Sequence, residues 1–278
     1  LDGYRWLAQL ADWGAGACLA DDMGLGKTVQ TLALLLHRAA GGPALVVAPT
    51  SVCATWQREA ARFAPELAVH HFADLARDAR AERVAALGPG DVLVAGYALL
   101  QREREALAAV DWHTAVLDEA HAIKNAAAGR ARAARALRAS ARVALTGTPV
   151  ENRLADLHSL FAFLQPGLLG SAEHFARHFA TPIERDDDGA ARARLHRLVR
   201  PFLLRRDKTA VCAELPPRSE LRIDVEPDAE ERACYEALRR EAEERVAQAG
   251  GERADRMTIL AQLTRLRRAC CHPRLGLP

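Results

Sequence analysis

Short apolar runs alternate with amphipathic helical stretches, which predicts a parallel, doubly wound α/β sheet over residues 1–165 and a mostly helical extension after it. Two further observations support this class. The runs are nearly continuous, as strands covered on both faces require. Each chemistry-bearing motif follows directly on such a run, and ligands of open parallel sheets sit beyond the carboxyl ends of the strands.

In chain order, residues 1–14 open with Leu1-Asp2-Gly3-Tyr4-Arg5-Trp6-Leu7 and read as a short amphipathic helix. Ala17-Cys18-Leu19-Ala20 is the first strand, and 29–36 the apolar helix that follows its turn. Ala44–Ala48 is a buried strand ended by Pro49; 52–63 is a helix with Trp56, Ala60 and Phe63 on one face. Residues 67–72 read as a strand, 75–87 as a helix, Gly88-Pro89-Gly90 as a turn, 92–95 as a strand and 97–107 as a helix. The strand 113–117 runs into Asp118-Glu119-Ala120-His121; the helix 127–137 leads to the strand 142–145, which ends in Thr146-Gly147-Thr148-Pro149. Beyond Pro149 the alternation stops. Helices are expected at 154–164, 172–179, 192–202, 228–249 and 257–271, a charged loop at Asp186-Asp187-Asp188-Gly189, a linker at Pro216-Pro217, and a half-exposed strand at 221–225. The expected divisions are 1–165, 166–220 as a helical linker, and 221–278 as a helical end.

Half of the 278 residues are hydrophobic and 27% are charged, which suits a packed core and excludes a disordered chain. The net charge of +2 gives no global pull toward nucleic acid. Arginine supplies nearly all the basic residues; only Lys27, Lys124 and Lys208 are lysines, so those three stand out. Cysteines at 18, 53, 212, 234, 270 and 271 form no C-x-x-C pair and are expected to be buried, reduced thiols of a cytoplasmic protein; no metal is expected at Cys270-Cys271-His272. No apolar run approaches membrane-spanning length, and no membrane partner is expected. The chain does not begin with Met and is expected to be part of a longer protein.

The stretch Asp21-Asp22-Met23-Gly24-Leu25-Gly26-Lys27-Thr28 joins a strand to a helix. Glycines let backbone curl closely round a phosphate, and the following helix aims its unpaired N–H groups and dipole at the same place. Lys27 adds a cation for the outer phosphates and Thr28 a hydroxyl for Mg²⁺. The pattern G-x-x-x-x-G-K-[ST] is met except at its first position, which Asp21 holds. Asp118, at a strand end, reads as the complementary half: its carboxylate can hold Mg²⁺ opposite Thr28, and Glu119 can orient or deprotonate the attacking water. Arg130, Arg132, Arg135 and Arg138 read as the solvated face of a basic helix, with a DNA flank as the alternative. Trp6, Trp13, Trp56 and Trp112 read as core or interface residues, and His70, His71, His174 and His178 as structural.

Four stretches occur in order: Leu19-Ala20-Asp21-Asp22-Met23-Gly24-Leu25-Gly26-Lys27-Thr28, Val47-Ala48-Pro49-Thr50-Ser51, Leu117-Asp118-Glu119-Ala120-His121-Ala122-Ile123-Lys124-Asn125, and Leu145-Thr146-Gly147-Thr148-Pro149-Val150-Glu151-Asn152. Weaker ones follow at Pro201-Phe202-Leu203-Leu204-Arg205-Arg206-Asp207-Lys208, Glu214-Leu215-Pro216-Pro217 and Cys271-His272-Pro273. Together they resemble the N-terminal half of a SWI/SNF-related helicase-like ATPase, of the bacterial kind within the DEAD/DEAH-box superfamily. The resemblance implies a RecA-like P-loop lobe that binds ATP and Mg²⁺ through Asp22, Met23, Gly24, Leu25, Gly26, Lys27 and Thr28. Lys27, Asp118 and Glu119 are its implied catalytic residues, with Mg²⁺ on Thr28 and Asp118. It implies backbone contacts to double-stranded DNA from Pro49, Thr50 and Ser51, and coupling through Thr146, Gly147 and Thr148. Arg205, Arg206 and Lys208 fall where the chain crosses between two lobes, and 221–278 falls in a protrusion between them. The location implied is cytoplasmic, with the bacterial nucleoid.

Three departures from the family pattern matter. The adenine-reading Gln expected just before Leu1 is not part of the sequence. Ala95-Gly96-Tyr97 stands where two threonines precede the tyrosine. The second RecA-like lobe, with its arginine fingers, is expected beyond Pro278, so the chain alone is expected to hydrolyse ATP very slowly. A non-catalytic nucleotide- or partner-binding fragment and a strand-separating helicase are the competing readings.

Overall fold

The computed structural model describes residues 1–147, 153–211, 220–248 and 252–272. They fall into two compact units, 1–215 and 216–278.

The first unit is built on seven parallel strands. Helix α1 (Asp2–Asp12) leads to β1 (Ala17–Leu19), followed by α2 (Lys27–His37), β2 (Ala44–Ala48), α3 (Thr50–Phe63) and β3 (Ala68–His71). Then come α4 (Arg80–Ala85), β4 (Asp91–Gly96), α5 (Tyr97–Arg102), α6 (Arg104–Ala109), β5 (Asp111–Leu117), α7 (Gly129–Ala136) and β6 (Arg138–Leu145). Helices α8 (Leu154–Leu164), α9 (Ala172–Phe175), α10 (Thr181–Arg185) and α11 (Gly189–Val199) precede the two-residue strand β7 (Leu203–Leu204) and the helical turn α12 (Lys208–Val211). The strand order is β3-β4-β2-β5-β6-β1-β7.

Alternation along each buried strand sorts its residues into two cores. Ala17, Leu19, Ala44, Val46, Ala48, Val92, Val94, Val116, Val143 and Leu145 pack against α1, α2 and α3 on one face. Cys18, Leu45, Val47, Leu93, Ala95, Ala115, Leu117 and Ala144 pack against α4 to α8 on the other. The partition follows from the right-handedness of crossover connections. From β1 to β3 the chain steps toward the β3 edge with its helices on the first face; from β3 to β7 it steps back and its helices switch sides. Helix α8 buries Leu157, Leu160, Phe161, Phe163 and Leu164, so it is covered nearly all round. Its outer side joins Phe175, Phe179, Leu195 and Val199 in a third cluster.

The second unit contains α13 (Ala229–Gln248) and α14 (Glu252–Cys271). Leu238 and Ala242 are buried among its described residues, and Arg265 reaches Glu241 at 2.8 Å.

Several sequence expectations are corrected. The stretch 166–220 is not wholly helical: Leu203 and Leu204 pair with Cys18 and Leu19 and extend the sheet by a strand. Residues 221–225 are not a strand; Leu221, Ile223 and Val225 are exposed and carry no regular structure. The helix expected at 97–107 is two short helices separated at Glu103. Arg138 begins β6 rather than ending a basic helix. Cys18 and Cys53 are buried, and burial pushes the Cys18 thiol up to about 12. Cys270 and Cys271, the last two residues of α14, are exposed, contrary to expectation. Trp56 and Trp112 are core residues, whereas Trp13 is 71% exposed.

Candidate active site

Four adjacent strands, β2, β5, β6 and β1, end on one edge of the sheet, and each ends in one of the four motifs. After β1 comes the 21–28 loop. Gly24 and Gly26 have φ of +87° and +71°, a region that side chains with a Cβ seldom adopt, and Gly26 caps α2. Lys27 is the first residue of α2; its Nζ donates to the carbonyl oxygens of Asp21 (2.6 Å) and Asp22 (3.3 Å). An ammonium has three donors, so one more partner can be met from this position. Met23 is exposed at the loop tip.

Asp21, at the position a glycine usually fills, is fully buried. Its Oδ1 accepts from the backbone N–H of Arg206 (3.0 Å) and from Arg206 Nε (3.1 Å); Arg206 Nη2 donates to Asp21 Oδ2 and to Gln30 Oε1 (2.8 Å). The backbone N–H of Asp22 donates to the Arg206 carbonyl, and that of Lys208 donates to Asp22 Oδ2 (3.1 Å). The segment after β7 therefore braces the base of the loop. Lys208 Nζ lies beside Gly24, 3.3 Å from where a Cβ there would stand.

Asp118, after β5, is held from both faces of the sheet. From the α3 side, Trp56 Nε1 donates to its Oδ2 (2.8 Å). From the α5 side, the Tyr97 hydroxyl donates to its backbone carbonyl (2.8 Å). Its own N–H donates to Val47 O (2.7 Å), and its Oδ1 accepts from the N–H of Glu119 (2.9 Å). Burial pushes the Asp118 carboxyl above the usual carboxylate range, as does the charge of Glu119; the hydrogen bonds from Trp56 and Glu119 and the Lys27 charge pull the other way. Burial, then the charges of Asp118 and Glu119, raise the Tyr97 phenol well above its ordinary value, which keeps it a donor. Glu119 has φ of +48°, left-handed for a side chain with a Cβ, and its Oε2 lies 3.2 Å from His121 Nδ1.

Thr146 is buried after β6, its N–H donating to Leu19 O (3.2 Å), and a Cβ on Gly147 would meet Met23 Cγ at 4.0 Å. The β6 turn thus sits on the 21–28 loop. Thr148 lies outside the described residues. After β2, Pro49 caps α3, and Thr50 and Ser51 are exposed on its first turn. Pro49, Thr50, Tyr97, His121, Lys124 and Arg130 line a cleft of about 440 Å³.

The donor set suits Mg²⁺. Hard cations take oxygen ligands, and Mg²⁺ commonly binds through one or two carboxylates plus substrate phosphates. Asp118, 9% exposed, uses one acceptor direction of each oxygen on Trp56 and Glu119 and retains others. Among the described residues no cluster of three or more His, Cys, Asp or Glu could hold a metal. The sequence did not disclose the parts played by Trp56, Tyr97 and Arg206. The only signal for Arg206 was its place in the Arg205-Arg206-Asp207-Lys208 stretch.

Fold and site together define a phosphate-loop α/β domain with an acidic partner motif. A profile of the SNF2-related domain matches residues 1–275, and the chain belongs to that family. The Bacillus subtilis (strain 168) protein YwqA is 41% identical over 281 residues, which are 99% of this chain and 30% of that protein. The ISWI chromatin-remodeling complex ATPase CHR11 of Arabidopsis thaliana is 38% identical over 281 residues, 99% of this chain and 26% of that protein. The Sulfolobus solfataricus SWI2/SNF2 ATPase core in complex with dsDNA matches with a TM-score of 0.70 at 36% identity, over 100% of this chain and 59% of that one. The chain therefore spans under a third of the length of these two protein relatives. Among the described residues no helix is long and apolar enough to cross a membrane.

Proposed function

We propose that this chain is the ATP-binding part of a DNA-dependent ATPase, and that hydrolysis in the full-length protein drives movement along double-stranded DNA. The observation that carries the reading is that the 21–28 loop, which leads into Lys27, and Asp118 follow β1 and β5 at the same edge of the sheet, with β6 between those two strands. The Sulfolobus solfataricus core, whose complex is with dsDNA, supports the nucleic-acid part.

On this reading Lys27 and the first N–H groups of α2 bind the outer phosphates, with Asp22, Met23, Gly24, Leu25 and Gly26 shaping the cradle. Thr28 and Asp118 hold Mg²⁺, which when bound neutralises charge on the phosphates. Glu119 takes the proton of the water that attacks the terminal phosphorus, and the bond from that phosphorus to the bridging oxygen of ADP breaks. The left-handed backbone at Glu119 and its contact with His121 orient the carboxylate. Thr146, Gly147 and Thr148 link the loop to a nucleic-acid groove; the place of Gly147 beside Met23 supports this. Pro49, Thr50 and Ser51 meet DNA phosphates along the cleft that Lys124 and Arg130 also line, a contact that carries affinity without sequence specificity. Residues 1–165, 166–220 and 221–278 then serve as lobe, linker and inter-lobe protrusion. The location proposed is the cytoplasm, with the nucleoid.

Steady-state ATP hydrolysis by the full-length protein, with and without duplex DNA, tests the reading. Turnover that rises with duplex and vanishes in Glu119→Gln supports it. Equal rates with and without duplex reject the DNA part, and failure to bind ATP rejects the whole.

A further inference from the structure

Trp56 looks from sequence like one more core residue of an amphipathic helix. Its ring is indeed 1% exposed and packs with Cys53 and Ala60 on the buried face of α3. Yet its indole N–H points at none of the backbone carbonyls around it. It spends its only donor on Asp118 Oδ2, 62 residues away and on a different strand. The other buried tryptophan makes the opposite choice. Trp112, also 1% exposed, donates at 2.8 Å to the carbonyl of Leu107, five residues back.

The geometry of Asp118 gives the Trp56 bond a particular effect. Oδ1 accepts from the neighbouring Glu119 N–H, a single contact that by itself leaves the carboxylate, second oxygen included, some freedom to turn about the side-chain torsion. Trp56 fixes that second oxygen. With both held, the carboxylate plane is set relative to the 21–28 loop. The groups that hold a metal's ligand typically matter by about 10–100-fold in metal affinity.

Helix α3 also starts at the sheet edge. Thr50 and Ser51 lie on its exposed first turn, and Trp56 lies on the same rigid element, less than two turns further along. A displacement of that first turn is carried to the indole without an intervening joint.

We propose that Trp56 is a positioning residue: it orients Asp118 for Mg²⁺ and ties that orientation to the α3 edge that carries Thr50 and Ser51. The inference rests on the proposed nucleotide site. The Mg²⁺ dependence of binding a fluorescent, non-hydrolysable ATP analogue to the full-length protein tests it. Three versions are compared with the natural one: Trp56→Phe, benzothienylalanine at position 56, which keeps the ring's shape without the N–H, and Trp112→Phe. The last makes the same change at an equally buried indole that does not touch Asp118. Both changes at position 56 are expected to raise the Mg²⁺ half-saturation about 10–100-fold and leave metal-free analogue binding unchanged. Trp112→Phe is expected to stay within about twofold, because its donor serves only local backbone. In hydrolysis, the position-56 changes are expected to lower the duplex-stimulated rate by a larger factor than the basal rate. Equal shifts for positions 56 and 112, or none for benzothienylalanine, overturn the inference. Absence of Mg²⁺-dependent binding by the natural protein instead overturns the proposed function.

Discussion

Arg206 grips Asp21 twice, through its backbone N–H and through its guanidinium, so a carboxylate with no solvent exposure is matched by a partner 185 residues away. The partners are unequal in burial, since the Arg206 side chain is 25% exposed. That inequality predicts an asymmetric response. Arg206→Ala strands a buried charge and should cost about 3–5 kcal/mol. Asp21→Asn leaves a cation that water can reach and should cost about 1–2 kcal/mol. Chemical denaturation of the two variants checks the order; a larger loss for Asp21→Asn contradicts it.

Lys27 contributes little to the fold. Its ammonium donates only to carbonyls of its own loop, so Lys27→Ala should change unfolding free energy by no more than about 1 kcal/mol. Loss of the charge-assisted bond to phosphate should weaken ATP binding by about 10–100-fold. Thermal melting and fluorescence titration separate the two effects.

Asp118 makes stability depend on pH. Its folded-state affinity for a proton is raised above the unfolded value, chiefly by burial. Between the ordinary carboxylate pKa and the raised one, the folded chain binds more protons than the unfolded chain, so stability falls as pH rises. Above that window the ionised carboxylate is a fixed cost to the metal-free fold. Wild type measured against Asp118→Asn should therefore lose relative stability as pH rises through the window and stay level beyond it. Denaturation of both proteins across the acid range, without Mg²⁺, checks the sign.

On the proposed reading, a change at Glu119 should separate binding from turnover. Glu119→Gln keeps the length and the backbone N–H that donates to Asp118, so ATP binding by the full-length protein should stay within about threefold. Hydrolysis should fall by about 10²–10⁴, the usual worth of a positioned base. Single-turnover assays measure both.

The chain 1–278 alone should be a poor ATPase. Arginine fingers are worth roughly 10³–10⁵ in rate, and we propose that they come from outside residues 1–278 in the longer protein. Duplex-stimulated turnover by this chain at about one per second or faster, the ordinary range for phosphoryl-transfer enzymes, would count against the proposal.

Much of the sheet was legible because a strand covered on both faces must be apolar throughout, as Ala44–Ala48 and Val92 to Ala95 are. The same rule could not find β7. Two leucines after a proline carry no period, and only the neighbouring edge of β1 makes them a strand. At Leu221, Ile223 and Val225 the period was present and misleading, because alternation yields a strand only where another strand supplies hydrogen bonds. The loop and the acidic pair were readable because their chemistry is local to a few consecutive residues. Trp56, Tyr97 and Arg206 were not: each acts on a residue 21 or more positions away, and which face of a helix meets which strand end is settled only by packing.

The pairing of β7 with β1 also sets an order of events during synthesis. The loop and its helix emerge from the ribosome early, but the Arg206 clamp on Asp21 waits for 185 more residues. At about 5–20 residues per second, that is a delay of roughly ten to forty seconds. Throughout it, β1 presents an unpaired strand edge and the carboxylate of Asp21 lacks its cation, so the 21–28 loop is among the last parts of the first unit to be completed.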